Sequence, residues 1–189
     1  NAGNLYLTDD IRIDGTIVIA TDVTLCLNGH NITSTANGDV IEVAAGKTLT
    51  LCDCRQGGAV TNYGKITHAT GRIGRGVTLV SGGTLNMYSG QITGNYVNTD
   101  GLCSGVYVPN GATFSVAGNA RVTNNNISNQ KVPTGLANVY LQTGAAVKVI
   151  GKLGADAVIG VTTETVPTSD ANPVTIATAA DNWISAGSF

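Results

Sequence analysis

Residues 77–93 read VTLVSGGTLNMYSGQIT, and this stretch decides the fold. Val77 and Leu79 are apolar at alternate positions, Leu85 and Met87 repeat that alternation beyond a turn centred on Gly82, and Ile92-Thr93 open a third short segment. Period-two alternation gives each strand one apolar face. The same arrangement recurs as Ile17, Ile19, Leu25, Leu27; as Ile41, Val43, Leu49, Leu51; as Val106, Val108, Phe114, Val116; and as Val139, Leu141, Val147, Val149. Third segments follow at Ile32-Thr33, Ile66-Thr67, Val122-Thr123 and Val158-Ile159. Three strands per repeat, with no helical period between them, describe one coil of a parallel β-helix. The chirality preference of parallel crossovers makes it right-handed. The expected fold is all-β, a right-handed parallel β-helix of about five to six coils of three short strands, with no substantial helix.

The corner between the first and second strands is expected to turn on Gly46, Gly82, Gly111 and Gly144, with Asp22 in that place in the first copy. From Ile17 to Ile41, Val77, Val106 and Val139 the successive intervals are 24, 36, 29 and 33 residues. Strand lengths stay constant and the loops absorb the difference, as a coil permits when insertions sit at a corner.

Composition agrees with this reading. The chain has 189 residues, of which 42% are apolar and only 12% charged, with a net charge of −2. That is enough apolar material for one continuous core. Glu42 and Glu164 are the only glutamates, so long helices are not expected. The charge balance gives no reason to expect nucleic acid as a partner, and no apolar run suggests insertion into a membrane. Residues 1–189 are read as a single domain, with 1–13 an incomplete first coil or cap and 163–189 a C-terminal strand and cap, the whole being a piece of a longer protein. Val174 and Ile176 are expected in that last strand, and Trp183, Ile184 and Phe189 are expected to close the core.

Cys26, Cys52 and Cys54 fall on or beside second strands, with Cys26 and Cys52 pointing outward. In the repeat register Cys26 stacks on Thr50, so a bridge to Cys52 needs a register shift, and a bridge from Cys52 to Cys54 along one strand has poor geometry. The C-x-C spacing lacks a second pair or a nearby histidine, so no metal or other cofactor is expected. Cys103 sits in a loop as a free thiol, and His30 in a turn after Asn28-Gly29.

A polysaccharide lyase or hydrolase on this scaffold needs clustered carboxylates on a lateral face. The outward column of the first strand reads Val18, Glu42, Thr78, Tyr107 and Tyr140, and that of the second Cys26, Thr50, Asn86, Ser115 and Lys148. Neither contains a carboxylate pair. The segments after the third strand (residues 34–39, 68–75, 95–104 and 124–137) must emerge from one edge, where such folds place binding function. The candidate ligand-binding residues there are His68, Arg72, Arg75, Tyr96, Asn98, Asp100 and Lys131, with Tyr107 and Tyr140 alongside. Rings that cover apolar sugar faces, next to amides and guanidinium groups that meet hydroxyls, suit glycans.

The stretches VTLCLNGHNI (23–32), TLTLCDC (48–54), GTLNMYSGQITGN (83–95), GVYVPNGATF (105–114) and residues 139–162 resemble the repeats of large adhesin-like surface proteins of Gram-positive gut anaerobes. That family is similar in fold to the pectin-lyase-like right-handed β-helices. The resemblance implies an extracellular, cell-surface or secreted setting, and it carries no catalytic motif. Gly101-Leu102-Cys103-Ser104 departs from the family's glycine-rich lead into the fourth coil. An anaerobic source, as the resemblance implies, weakens the usual inference that surface cysteines are oxidised.

The expected function is therefore a non-catalytic adhesin-like module whose partners are host or dietary glycans or host surface proteins. Two rivals share the scaffold. One is a carbohydrate-active enzyme using Glu42, Asp100, His68 and the arginines, and the other is a passive spacer. Ice binding would need a regular Thr-x-Thr ladder, and the pair Thr48 and Thr50 is not repeated in later coils.

Overall fold

Alternating apolar residues build three long parallel sheets that wind around one core. The computed structural model describes residues 3–55, 59, 62–98, 103–129, 132–168 and 173–179, with the backbone alone for 128, 129 and 132–136. The first sheet stacks six strands, Ile17–Ile19, Ile41–Val43, Val77–Leu79, Val106–Val108, Val139–Leu141 and Val161–Thr163. The second stacks seven, Gly3–Tyr6, Val23–Cys26, Thr48–Cys52, Thr84–Met87, Thr113–Gly118, Val147–Leu153 and Ala177–Ala179. The third again stacks six, Ile11–Ile13, Ile32–Ser34, Lys65–His68, Gln91–Ile92, Arg121–Val122 and Val158–Ile159. Every contact within these three sheets is parallel. The chain is a right-handed parallel β-helix.

Residues of one inward column touch across coils. Ile41, Val77, Val106 and Val139 align strand to strand, as do Leu49, Leu85, Phe114 and Val147, and all are buried. Each fully buried side chain of this size contributes about 1.5–3 kcal/mol relative to exposure. The first corner turns on the glycines expected there. Gly46, Gly82, Gly111 and Gly144 all have positive φ, between 68° and 87°, where a Cβ would strain the backbone. These corners also bond to one another, Gly46 N donating to Gly82 O (3.1 Å) and Gly82 N to Gly111 O (3.0 Å).

The first coil departs from the sequence reading. Val23 aligns with Leu49, Leu25 with Leu51 and Cys26 with Cys52, so Cys26 does not stack on Thr50. Counted between partners in register, the step from Ile19 to Val23 is two residues shorter than the matching step from Val43 to Leu49, and Asp22 has no positive φ to match the glycines. A slip of two residues leaves every side chain on its own face, so the apolar pattern reads the same in either register. Asp22 repairs the shortened corner with its side chain. Its Oδ1 accepts from Thr48 N (2.9 Å), where in later coils a main-chain carbonyl serves Thr84 N and Thr113 N.

Two further differences concern segments outside the coils. The edge expected to carry irregular loops holds a three-stranded sheet, Tyr96–Val97, Asn126–Asn129 and Val132–Leu136, the last two antiparallel. The last described strand is Ala177–Ala179 rather than one through Val174 and Ile176, and Ile176 is 53% exposed. Trp183, Ile184 and Phe189 lie outside the described residues.

Candidate functional site

Where the third sheet turns back to the first, buried amides line the corner. Asn95 and Asn125 stack in successive coils, and Asn138 stands at the far end of the loop that begins at Asn125, each at most 6% exposed. Asn95 Nδ2 donates to Ile66 O (3.2 Å), Thr93 O (3.3 Å) and Asn125 Oδ1 (2.9 Å). Asn125 Nδ2 in turn donates to Ile92 O, Thr123 O and Asn138 Oδ1. Main-chain N–H groups of Asn95 and Asn125 bond to the next amide oxygen along. Such a ladder satisfies backbone groups that the departing loops would otherwise leave unpaired inside the molecule. His68 ends it. Its Nδ1 lies 2.7 Å from Asn95 Oδ1 and its Nε2 lies 2.8 Å from Gly38 O, with the residue 7% exposed. Both ring nitrogens thus face protein atoms beneath the loop edge.

Above this base the loops brace one another. Gly38 N donates to Ile73 O, Ile73 N to Asn37 Oδ1, and Arg75 N to Asp39 Oδ1. Gly74 forms an antiparallel bridge with Tyr96, its N donating to Tyr96 O at 2.7 Å. Val97, Ile127 and Ala137 pack as a small apolar cluster under this edge.

The bracing delivers Arg75 to the first-sheet face. Its guanidinium stands 4.9 Å over the Tyr107 ring, and Tyr107 stacks on Tyr140 at 5.9 Å and 6°. A cation over an aromatic face is attracted by the ring quadrupole. Tyr107 stands in the coil between Arg75 and Tyr140, so its neighbours engage the ring faces and leave its edge toward solvent. Asp39 completes the cluster, with Oδ2 3.7 Å from Arg75 Nη1 and accepting from Thr78 Oγ1 at 2.5 Å. Arg75 Nε is buried without a hydrogen-bond partner among the described residues. Tyr140 is only 4% exposed, and burial first, then the Glu164 charge, pushes its phenol up from the ordinary value. Cys103 is a free thiol, fully buried, and burial pushes it up to about 12.

Of the residues expected at the site, Arg75, Tyr107 and Tyr140 come together and Tyr96 joins them through Gly74. Arg72 is exposed in the turn after Ala69, and Asn98 is exposed beyond the strand that carries Tyr96. His68 belongs to the amide ladder below. Asp100 and Lys131 lie outside the described residues. Asp39 was not among the candidates; only the stacking of coils brings it to Thr78 and Arg75 across 39 and 36 positions.

Elsewhere the second sheet presents Asn4, Thr24, Thr50, Asn86, Ser115, Lys148 and Thr178 in one column, Thr24 standing where Cys26 was expected. Thr48 recurs as Thr84 and Thr113, but Thr50 is followed by Asn86 and Ser115, so the paired threonine ladder is incomplete. Among the described residues no group of three His, Cys, Asp or Glu side chains could hold a metal ion, and no helix is long and apolar enough to cross a membrane. No family model matches the chain, and no curated protein or solved structure matches it. The fold and the Arg75 cluster thus define the molecule as a parallel β-helix with a braced polar edge.

Proposed function

We propose that the chain is a non-catalytic binding module of an adhesin-like, pectin-lyase-like β-helix protein, cell-surface or secreted, which takes glycans at its loop edge. The observation that carries this reading is the cluster of Arg75, Tyr107, Asp39 and Thr78. Guanidinium, carboxylate and phenol groups held on a rigid sheet can meet sugar hydroxyls in a fixed pattern, and preorganised partners bind with less ordering cost. Exposed Arg72, three positions before Arg75 in sequence, favours glycans that carry carboxylates, since an arginine fork bonds a carboxylate at two points.

The rival enzyme reading draws on Glu42, Asp100, His68 and the arginines; Glu42 stands in register beside Thr78, whose hydroxyl bonds Asp39 as a second carboxylate. Asp39 is already engaged by Arg75 and Thr78, an arrangement suited to positioning rather than to proton transfer. A glycan array run beside reducing-sugar and unsaturated-product assays separates the cases. Binding without turnover is expected. Turnover lost in Glu42→Gln would make the chain an enzyme, and neither binding nor turnover would leave a passive spacer.

A further inference from the structure

The shortened first corner sets three sulfurs side by side. Cys26 is bridged to Cys54, with Cα atoms 5.9 Å apart and a sequence separation of 28. Cys54 N also donates to Cys26 Sγ at 2.9 Å. Cys52 is a free thiol on the neighbouring strand, in register with Cys26 and on the same outward face. Its Sγ lies 3.7 Å from Leu25 O, the carbonyl that precedes Cys26. Neighbouring strands lie about 4.7–4.9 Å apart, inside the Cα separation that a disulfide spans. Cys54 is exposed, Cys52 half-buried and Cys26 buried.

We propose that Cys26, Cys52 and Cys54 form a thiol–disulfide exchange site in which Cys26 is the shared sulfur and Cys52 the resident attacking thiol. The Cys52 thiolate attacks Cys26 Sγ, a Cys26–Cys52 bond forms, the Cys26–Cys54 bond breaks, and Cys54 leaves as a thiolate that takes a proton from water. No oxidant or reductant is consumed. Attack on the Cys54 sulfur is disfavoured, because it would join residues two apart on an extended segment. Cys54 is the better leaving group, since its exposed thiolate is hydrated. Both pairings tie the same two coils together. Exchange therefore replaces a half-buried thiol by a surface thiol while the clamp stays closed. Burial first, and then the Asp53 charge, raises the Cys52 thiol above its ordinary value, so exchange should accelerate toward alkaline pH.

The released Cys54 thiolate can attack a low-molecular-weight disulfide, forming a mixed disulfide and expelling the other half as a thiolate. Oxidised glutathione is the probe. The intact protein is incubated with it across the alkaline range, remaining thiols are blocked at mildly acidic pH, and the chain is cut before aspartates without reduction. Cleavage before Asp22, Asp39, Asp53 and Asp100 places Cys26, Cys52 and Cys54 on separate peptides, 22–38, 39–52 and 53–99. Expected are a glutathione adduct on 53–99 and a link between 22–38 and 39–52, both lost in Cys52→Ser. In Cys54→Ser, oxidised glutathione should close the bridge between Cys26 and Cys52 without retaining an adduct. Glutathione on 39–52 with the original bridge intact, or the original bridge alone at every pH, would overturn the proposal. So would a Cys54→Ser variant that ends with glutathione on both remaining sulfurs.

Discussion

Cys103 shows what burial does to one group. Its thiol is held neutral, up to about 12 against an ordinary 9.0, with burial the main cause. The native state keeps a proton that the unfolded chain releases near its ordinary value, so this contribution to stability is complete below about pH 9 and lost as pH rises from there toward about 12. While only the unfolded thiol is ionised the loss approaches ~1.4 kcal/mol per pH unit. Cys103→Ala should flatten the alkaline limb of stability measured by denaturant unfolding. The difference in slope between variant and parent isolates this residue from Cys52 and Tyr140, which are raised in the same sense. At this scale the sequence was partly readable. A free Cys103 was expected from its place in a loop, but neither its burial nor the joining of Asp39 to Arg75 leaves a local signal, because each depends on chain 30 or more positions away.

Strands and corners were more legible, for a physical reason. Period-two alternation fixes which side chains face inward, and positive-φ corners demand glycine, so the inward columns and all four of the long corners could be placed from residue type alone. Phe114 tests the columns. It is fully buried between Leu85 and Val147, and Phe114→Ala should cost about 3–5 kcal/mol in chemical denaturation, the range for an aromatic removed from a packed interior. A loss under about 1 kcal/mol, the level of surface substitutions, would contradict the stacking. Register in the first coil was not legible, since a slip by two keeps the pattern and only the short corner reveals it. The amide ladder of Asn95, Asn125 and Asn138 was not legible either, because composition does not distinguish a buried ladder from a polar turn.

For the whole molecule, coils of constant section with insertions at one corner gather loops on a single edge, and the edge sheet with its Gly74–Tyr96 bridge makes that edge an ordered surface. If glycans bind there, Arg72→Ala with Arg75→Ala should weaken binding at least about tenfold, the loss of roughly one charge-assisted hydrogen bond. Stability should change little through Arg72, which is exposed, and modestly through Arg75, which gives up its place over Tyr107. Lys148→Ala and Asn86→Ala, on the second-sheet face, should leave titration curves unchanged. Architecture was the most readable level and the site the least, since repetition advertises a fold whereas a cluster such as Asp39, Thr78, Arg75 and Tyr107 occurs once. The bridge between Cys26 and Cys54 bears on a different property, the response to tension. Main-chain hydrogen bonds between coils run along the stack, so a pull on the two ends strips coils one at a time. The bridge withholds its 28-residue span from that unravelling, roughly 90–100 Å of contour that the chain yields only when the sulfurs are reduced.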